Sequence, residues 1–109
     1  MKRGDIIIAA APGDFGKPRP AVVVQSDFFN DSHASIVICP LTSDIILAPL
    51  YRIDVQPTIE NGLRSPSQIM VDKIMALRRG RVGAAVGTLD QEIMLRVDRT
   101  LALWLGLAD

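Results

Sequence analysis

Short apolar runs rich in β-branched residues, each cut off by proline, glycine or a polar turn, occupy most of this chain, and only its end carries helical periodicity. Ile6-Ile7-Ile8, Ala21-Val22-Val23-Val24 and Ile36-Val37-Ile38 are too short for stable helices and suit a pleated surface. Many short strands followed by one helix predict an α+β chain that is mostly β. The expected form is a small β-barrel or a strongly bent antiparallel sheet with a C-terminal α-helix. With 109 residues there is room for a single domain, taken as 1–109. Hydrophobic residues make up 49% and aromatics 5%, so the core must be mostly aliphatic.

Asp5 to Ala10 reads as a buried strand and Pro20 to Gln25 as its hairpin partner, joined through the turn-rich Ala11-Pro12-Gly13-Asp14-Phe15-Gly16. Asp27 to Ser35 is polar and reads as a loop, and Ser35 to Leu41 as the third strand. Residues 44 to 50 form an apolar, irregular connection, and Tyr51 to Val55 alternates as a half-buried strand. Asn61-Gly62 marks a turn within the loop Gln56 to Pro66. Ser67 to Ile74 reads as a strand, Ala76 to Gly83 as a basic connection, and Val82 to Leu89 as a final strand weakened by Gly83 and Gly87. Asp90 is a good N-cap, with Glu92 in the first turn. Ile93, Met94, Val97, Leu101, Trp104 and Leu105 then recur at helical spacing, which turns Trp104 toward the core, and Gly106 is the stop.

Twelve basic and twelve acidic residues cancel, which argues against a surface that coats nucleic acid broadly and leaves room for a local basic patch. Cys39 is alone, so it forms no internal disulfide, and its apolar surroundings predict a buried thiol in a reducing compartment. Met1-Lys2-Arg3 ahead of Ile6 to Ala11 resembles a signal peptide only faintly, because Gly4-Asp5 interrupts it, and it reads as the first strand. No stretch approaches the roughly 20 apolar residues of a membrane span, so a cytoplasmic protein with no membrane partner is expected. Cys39 and His33 have no zinc-ligand spacing, and no metal site is expected. Gly13-Asp14-Phe15-Gly16 lacks the Lys-Ser/Thr of a nucleotide-binding loop, and no dinucleotide fingerprint appears, so no cofactor is expected.

The chemistry-bearing residues sit where strands begin and end. Arg19 lies between Pro18 and Pro20, which favour an extended backbone, at the mouth of the valine run. Thr42 and Ser43 close the third strand. If the two strands are neighbours, a guanidinium and a hydroxyl meet at one sheet end and can hold a phosphate. Residue type alone divides Arg19 evenly between that role and an ordinary surface arginine. His33, in Asn30-Asp31-Ser32-His33, reads as a solvated loop histidine or as a general base. Lys73, Arg78, Arg79 and Arg81 form an acid-free basic cluster, either a solvated loop or a patch that follows a phosphate backbone. Phe15, Phe28 and Phe29 are loop aromatics that suit stacking on bases or minor core contacts.

The motifs, in order, are Arg3-Gly4-Asp5-Ile6, Arg19-Pro20-Ala21-Val22-Val23-Val24-Gln25, Pro40-Leu41-Thr42-Ser43, Glu60-Asn61-Gly62-Leu63, Pro66-Ser67, Val71-Asp72-Lys73-Ile74, Gly87-Thr88-Leu89 and Leu103-Trp104-Leu105-Gly106-Leu107. Together they resemble the MazF/PemK-type toxins of bacterial toxin–antitoxin systems nearly end to end. The resemblance implies an SH3-like barrel with a C-terminal helix, a homodimer, and a metal-independent endoribonuclease that cuts single-stranded RNA at short sequences. In that family the 2′-OH attacks the adjacent phosphate and leaves a 2′,3′-cyclic phosphate and a 5′-OH. By this carry-over Arg19 stabilises the phosphorane charge and Thr42 hydrogen-bonds the scissile phosphate. Ser43, Asp72 and His33 are further catalytic or positioning candidates; Lys17, Gln25, Lys73, Arg78, Arg79 and Arg81 are RNA-binding candidates. An antitoxin tail would occupy the same groove. The chain departs from the pattern in a short first hairpin loop, Ala11 to Pro18, and in Met70, where some relatives place an arginine before the aspartate. The alternatives are a gyrase-inhibiting toxin of the CcdB type, which Trp104-Leu105-Gly106 resembles superficially, and an inactive SH3-like binding module.

Overall fold

The computed structural model describes residues 1–10 and 17–108, so the expected hairpin tip, Phe15 included, lies outside the described residues. Its strands are β1 (Asp5–Ala9), β2 (Arg19–Val23), β3 (Ser35–Thr42), β4 (Arg52–Val55), β5 (Ser67–Met70), β6 (Met75–Arg78) and β7 (Val82–Thr88). They form one antiparallel sheet in the order β4-β5-β3-β2-β1-β7, with β6 also paired to β3. The helices are a single turn, α1 (Asp27–Asn30), and the C-terminal α2 (Gln91–Trp104). The strongly bent antiparallel sheet with a C-terminal helix is therefore the form this chain takes, with the sheet left open between β4 and β7.

The bend has a local cause. β5 and β6 both pair with β3, through Thr42↔Gln68 at one end and Ser35↔Arg78 at the other. Between them Val71–Lys73 makes a 3-10 turn whose buried Val71 packs toward α2 and β3. The run Ser67 to Ile74, expected as one strand, is thus broken at Met70, and part of the expected basic connection is strand β6. β6 escaped the pattern because only Leu77 of its four residues is buried. The polar stretch after Gln25 likewise holds α1, capped by Ser26, whose Oγ accepts from the Phe28 amide at 3.2 Å.

Alternation along the strands builds two cores. Ile6, Val22, Cys39, Leu41, Ile53 and Ile69 pack with Val97 and Leu101 of α2, while Ile7, Ala21, Val23, Ile36 and Ile38 face the other side. Burial on both faces is why these strands read as continuous apolar runs. α2 starts as expected, with Asp90 accepting from the Ile93 amide at 2.8 Å. It ends in a Schellman motif: Gly106 has φ of 73°, and the Leu107 amide donates to Ala102 O at 2.8 Å. The expected inward Trp104 is a correction. It is 48% exposed, its ring 6.0 Å from Tyr51, because the buried part of the helix ends at Leu101. No helix among the described residues is long and apolar enough to cross a membrane.

Candidate active site

β2 and β3 pair antiparallel through Ala21↔Pro40, Val22↔Cys39 and Val23↔Ile38. Continuing that register by two residues sets Arg19, which opens β2, opposite Thr42, which closes β3. Directly opposed residues share a face of the sheet. Both line a cleft of about 550 Å³, together with Ser43, Ile8, Pro20, Leu41, Val86 and the loop residues Gly62, Leu63, Arg64, Ser65 and Ser67. The cleft thus combines an apolar floor with arginines and hydroxyls.

The Thr42 hydroxyl is oriented locally. Its Oγ1 accepts from the Asp44 amide at 3.1 Å, which settles the rotamer and leaves the O–H as a donor. The segment after it is tied down by Gln68, whose amide bonds both backbone groups of Ile46, at 3.1 and 2.8 Å. Arg52 joins in, donating to the Asp44 carbonyl at 2.9 Å and to Gln68 Oε1 at 3.0 Å.

The loop that completes the lining is equally stiff. Asn61, 3% exposed, has its Oδ1 accepting from the Thr58 and Leu63 amides, each at 3.0 Å, and its Nδ2 donating to Gln56 O at 2.9 Å. Gly62 has φ of +69°, and a Cβ there would lie 2.3 Å from Val86 O. The Ser67 hydroxyl donates to Ser65 O at 2.9 Å. The loop is therefore fixed at both ends against the sheet.

The other candidates fall elsewhere. Lys17 is exposed just ahead of β2. Arg81 precedes β7, whose Val82 pairs with Ala9 while Ala9 also pairs with Arg19, so it stands roughly 10 Å from Arg19, two strand spacings away. His33 and Arg78 lie at the opposite end of β3, an eight-residue strand that spans roughly 23 Å. The His33 carbonyl accepts from Arg79 Nε at 3.0 Å, and Nδ1 accepts from the Ser35 amide at 3.1 Å. A phosphate held by Thr42 is out of His33's reach within one chain. Gln25 bridges to β3, donating to Ser35 O at 3.0 Å and accepting from the Val37 amide at 3.1 Å. Asp72 and Lys73 belong to the 3-10 turn and do not line the cleft. Burial, with the Asp72 carboxylate adding to it, pushes the Cys39 thiol up to about 12, so it is not a nucleophile near neutral pH. Sequence reasoning missed Arg64, Ser65 and Ser67. The available signal was a cation in a loop bounded by Asn61-Gly62 and Pro66.

The chain is similar to proteins of known type along its whole length. A Mycolicibacterium smegmatis protein called a probable endoribonuclease MazF is 43% identical over 109 residues, covering 99% of each chain. The Bacillus subtilis endoribonuclease EndoA is 28% identical over 116 residues, covering 100% of this chain and 97% of its own. The fold matches a mycobacterial endoribonuclease solved with its cognate antitoxin, with a TM-score of 0.83, 22% identity, and coverage of 100% and 98%. It also matches a Deinococcus radiodurans MazE-MazF structure, with a TM-score of 0.81, 19% identity, and coverage of 99% and 97%. Residues 2–105 match the family model of PemK-like, MazF-like toxins of type II toxin–antitoxin systems, and the chain belongs to that family.

Proposed function

We propose that this toxin is a metal-independent, sequence-specific endoribonuclease of single-stranded RNA. The observation that carries the reading is the register that sets Arg19 opposite Thr42 on one cleft. In the proposed reaction the ribose 2′-oxygen attacks the adjacent phosphorus and the P–O5′ bond breaks. The 2′-oxygen loses a proton, the 5′-oxygen gains one, and the products are a 2′,3′-cyclic phosphate and a 5′-OH. Arg19 stabilises the phosphorane oxygens and assists proton transfer, and the oriented Thr42 hydroxyl donates to the scissile phosphate. Positioned donors of this kind contribute about 10²–10³ each in rate. The apolar floor suits a base, and RNA single strands are read through splayed bases.

A cognate antitoxin would occupy the same cleft, and the toxin would act in the cytoplasm as a homodimer. Exposed Leu47, Leu50, Leu103, Leu105 and Leu107 support an interface between copies; a monomer by light scattering would remove that part.

The test is incubation of pure protein with a long single-stranded RNA in EDTA, with both new ends mapped. Discrete cuts with cyclic-phosphate and 5′-OH ends are expected, and Arg19→Ala should abolish them while melting like the parent. Uncut RNA together with inhibited gyrase would replace this reading with the CcdB-type one.

A further inference from the structure

The cleft carries a second guanidinium that the proposed cleavage step does not use. Arg64 stands on the wall formed by the loop after Gly62, while Arg19 and Thr42 come from the ends of β2 and β3. Among the described residues Arg64 makes no hydrogen bond or ion pair. Its backbone is nonetheless fixed on both sides. Leu63 before it is half-buried against the α2-side core and donates its amide to Asn61 Oδ1 at 3.0 Å. Ser65 after it has its carbonyl held by the Ser67 hydroxyl at 2.9 Å. The loop as a whole is pressed on β7: a Cβ on Gly87 would meet the Asn61 carbonyl carbon at 2.3 Å, and the Thr88 amide donates to Glu60 O at 2.8 Å.

An exposed arginine on a mobile loop would lose much of its binding energy in ordering. A stiff loop removes the backbone share of that cost and aims the side chain. A single-stranded RNA carries a phosphate on each side of every nucleotide. A cleft lined by cations from two separate segments therefore matches one nucleotide with both its phosphates. We propose that Arg64 is a substrate-positioning residue that holds the phosphate next to the scissile one, in the same cleft as Arg19 and Thr42. The proposal rests on the ribonuclease reading for its substrate and adds to it a second phosphate subsite.

Phosphate contacts are independent of sequence, so a mixed-sequence probe reports them. The probe is a fluorescent 2′-O-methyl oligonucleotide, which lacks the attacking hydroxyl and stays uncut. Arg64→Gln is expected to weaken its binding about 10-fold, the worth of one charge-assisted contact, and to reduce the salt slope by about 0.7. Arg64→Lys should restore the slope. With cleavable RNA, KM should rise about 10-fold for Arg64→Gln while kcat stays within about twofold. Unchanged probe affinity and slope would overturn the proposal and leave the ribonuclease reading intact, as would a fall in kcat alone. The same holds if Arg64→Lys loses the slope as Arg64→Gln does. If the parent protein leaves RNA uncut but binds the probe through Arg64, the ribonuclease reading falls and what stands is a phosphate contact at Arg64 without a scissile neighbour. A parent that cuts RNA but does not bind the probe overturns the subsite and leaves the ribonuclease reading intact.

Discussion

Gln68→Leu is expected to lower the stability of this toxin by about 3 kcal/mol and to disturb its cleft as well. Gln68 is only 4% exposed, and all four hydrogen-bonding positions of its amide are used. Oε1 accepts from the Ile46 amide at 3.1 Å and from Arg52 at 3.0 Å; Nε2 donates to Ile46 O and to Asp54 Oδ1, each at 2.8 Å. Bonds between neutral groups contribute about 1 kcal/mol each and bonds to charged groups about 2, for a gross loss of about 6. Water reaches Asp54 and the 43%-exposed Ile46 and restores part of this. The apolar surface of leucine offsets roughly another 1–2 kcal/mol. In a domain of this size each kcal/mol moves the midpoint by about 4 °C, so a thermal melt should fall by about 12 °C.

The same substitution frees the segment that follows Thr42, since Arg52 also holds the Asp44 carbonyl and the Asp44 amide holds Thr42 Oγ1. Limited proteolysis should open new cuts between residues 44 and 50, and RNA cleavage should slow even well below the melting midpoint. Gln68→Glu keeps the two acceptors, loses both donors and sets a carboxylate against Asp54. At neutral pH it should melt no higher than Gln68→Leu. A drop under about 4 °C for Gln68→Leu, or a parent-like Gln68→Glu, would refute the argument that this amide carries the clamp.

Two further outcomes follow from Cys39 and Gly87. Cys39 has a folded value of about 12 against an ordinary 9.0, so its contribution is complete below pH 9.0 and is lost as pH rises toward 12. The parent should lose about 1.4 kcal/mol per pH unit across that window relative to Cys39→Ala, measured by urea melts; equal alkaline slopes in the two proteins would sink the assignment. Gly87→Ala must part the β7 backbone from Asn61, whose carbonyl carbon a new Cβ would approach to 2.3 Å, and should cost about 3 kcal/mol and raise KM for RNA. Gly80→Ala, with nothing within 4 Å of the new Cβ, should stay within about 0.5 kcal/mol and serves as the control. A tolerated Gly87→Ala would show that the loop and β7 are not in close approach.

What could be read without coordinates was whatever adjacent residues decide. Ile6-Ile7-Ile8 and Ala21-Val22-Val23-Val24 announced themselves because both faces of their strands are buried, and Asp90 and Gly106 because caps are local. Arg19 and Thr42 were legible for a related reason: each marks a strand end, and a hairpin followed by a third antiparallel strand brings those two ends together. β6 was hidden because an edge with one buried residue has no period to detect, and the break at Val71 because a 3-10 turn in a β-branched run leaves no composition change. His33 and the arginines are a different case. Their residue types suit RNA, but only the length of β3 shows that His33 and Arg78 stand at its far end. Gly87 reverses the expectation most directly. A glycine that weakens a strand by its own propensity is required here, since the sheet edge must admit the Asn61 backbone. That non-local contact carries the loop with Arg64 to the cleft, so residues 60–67 alone show a cation between turn signals but not the cleft it lines.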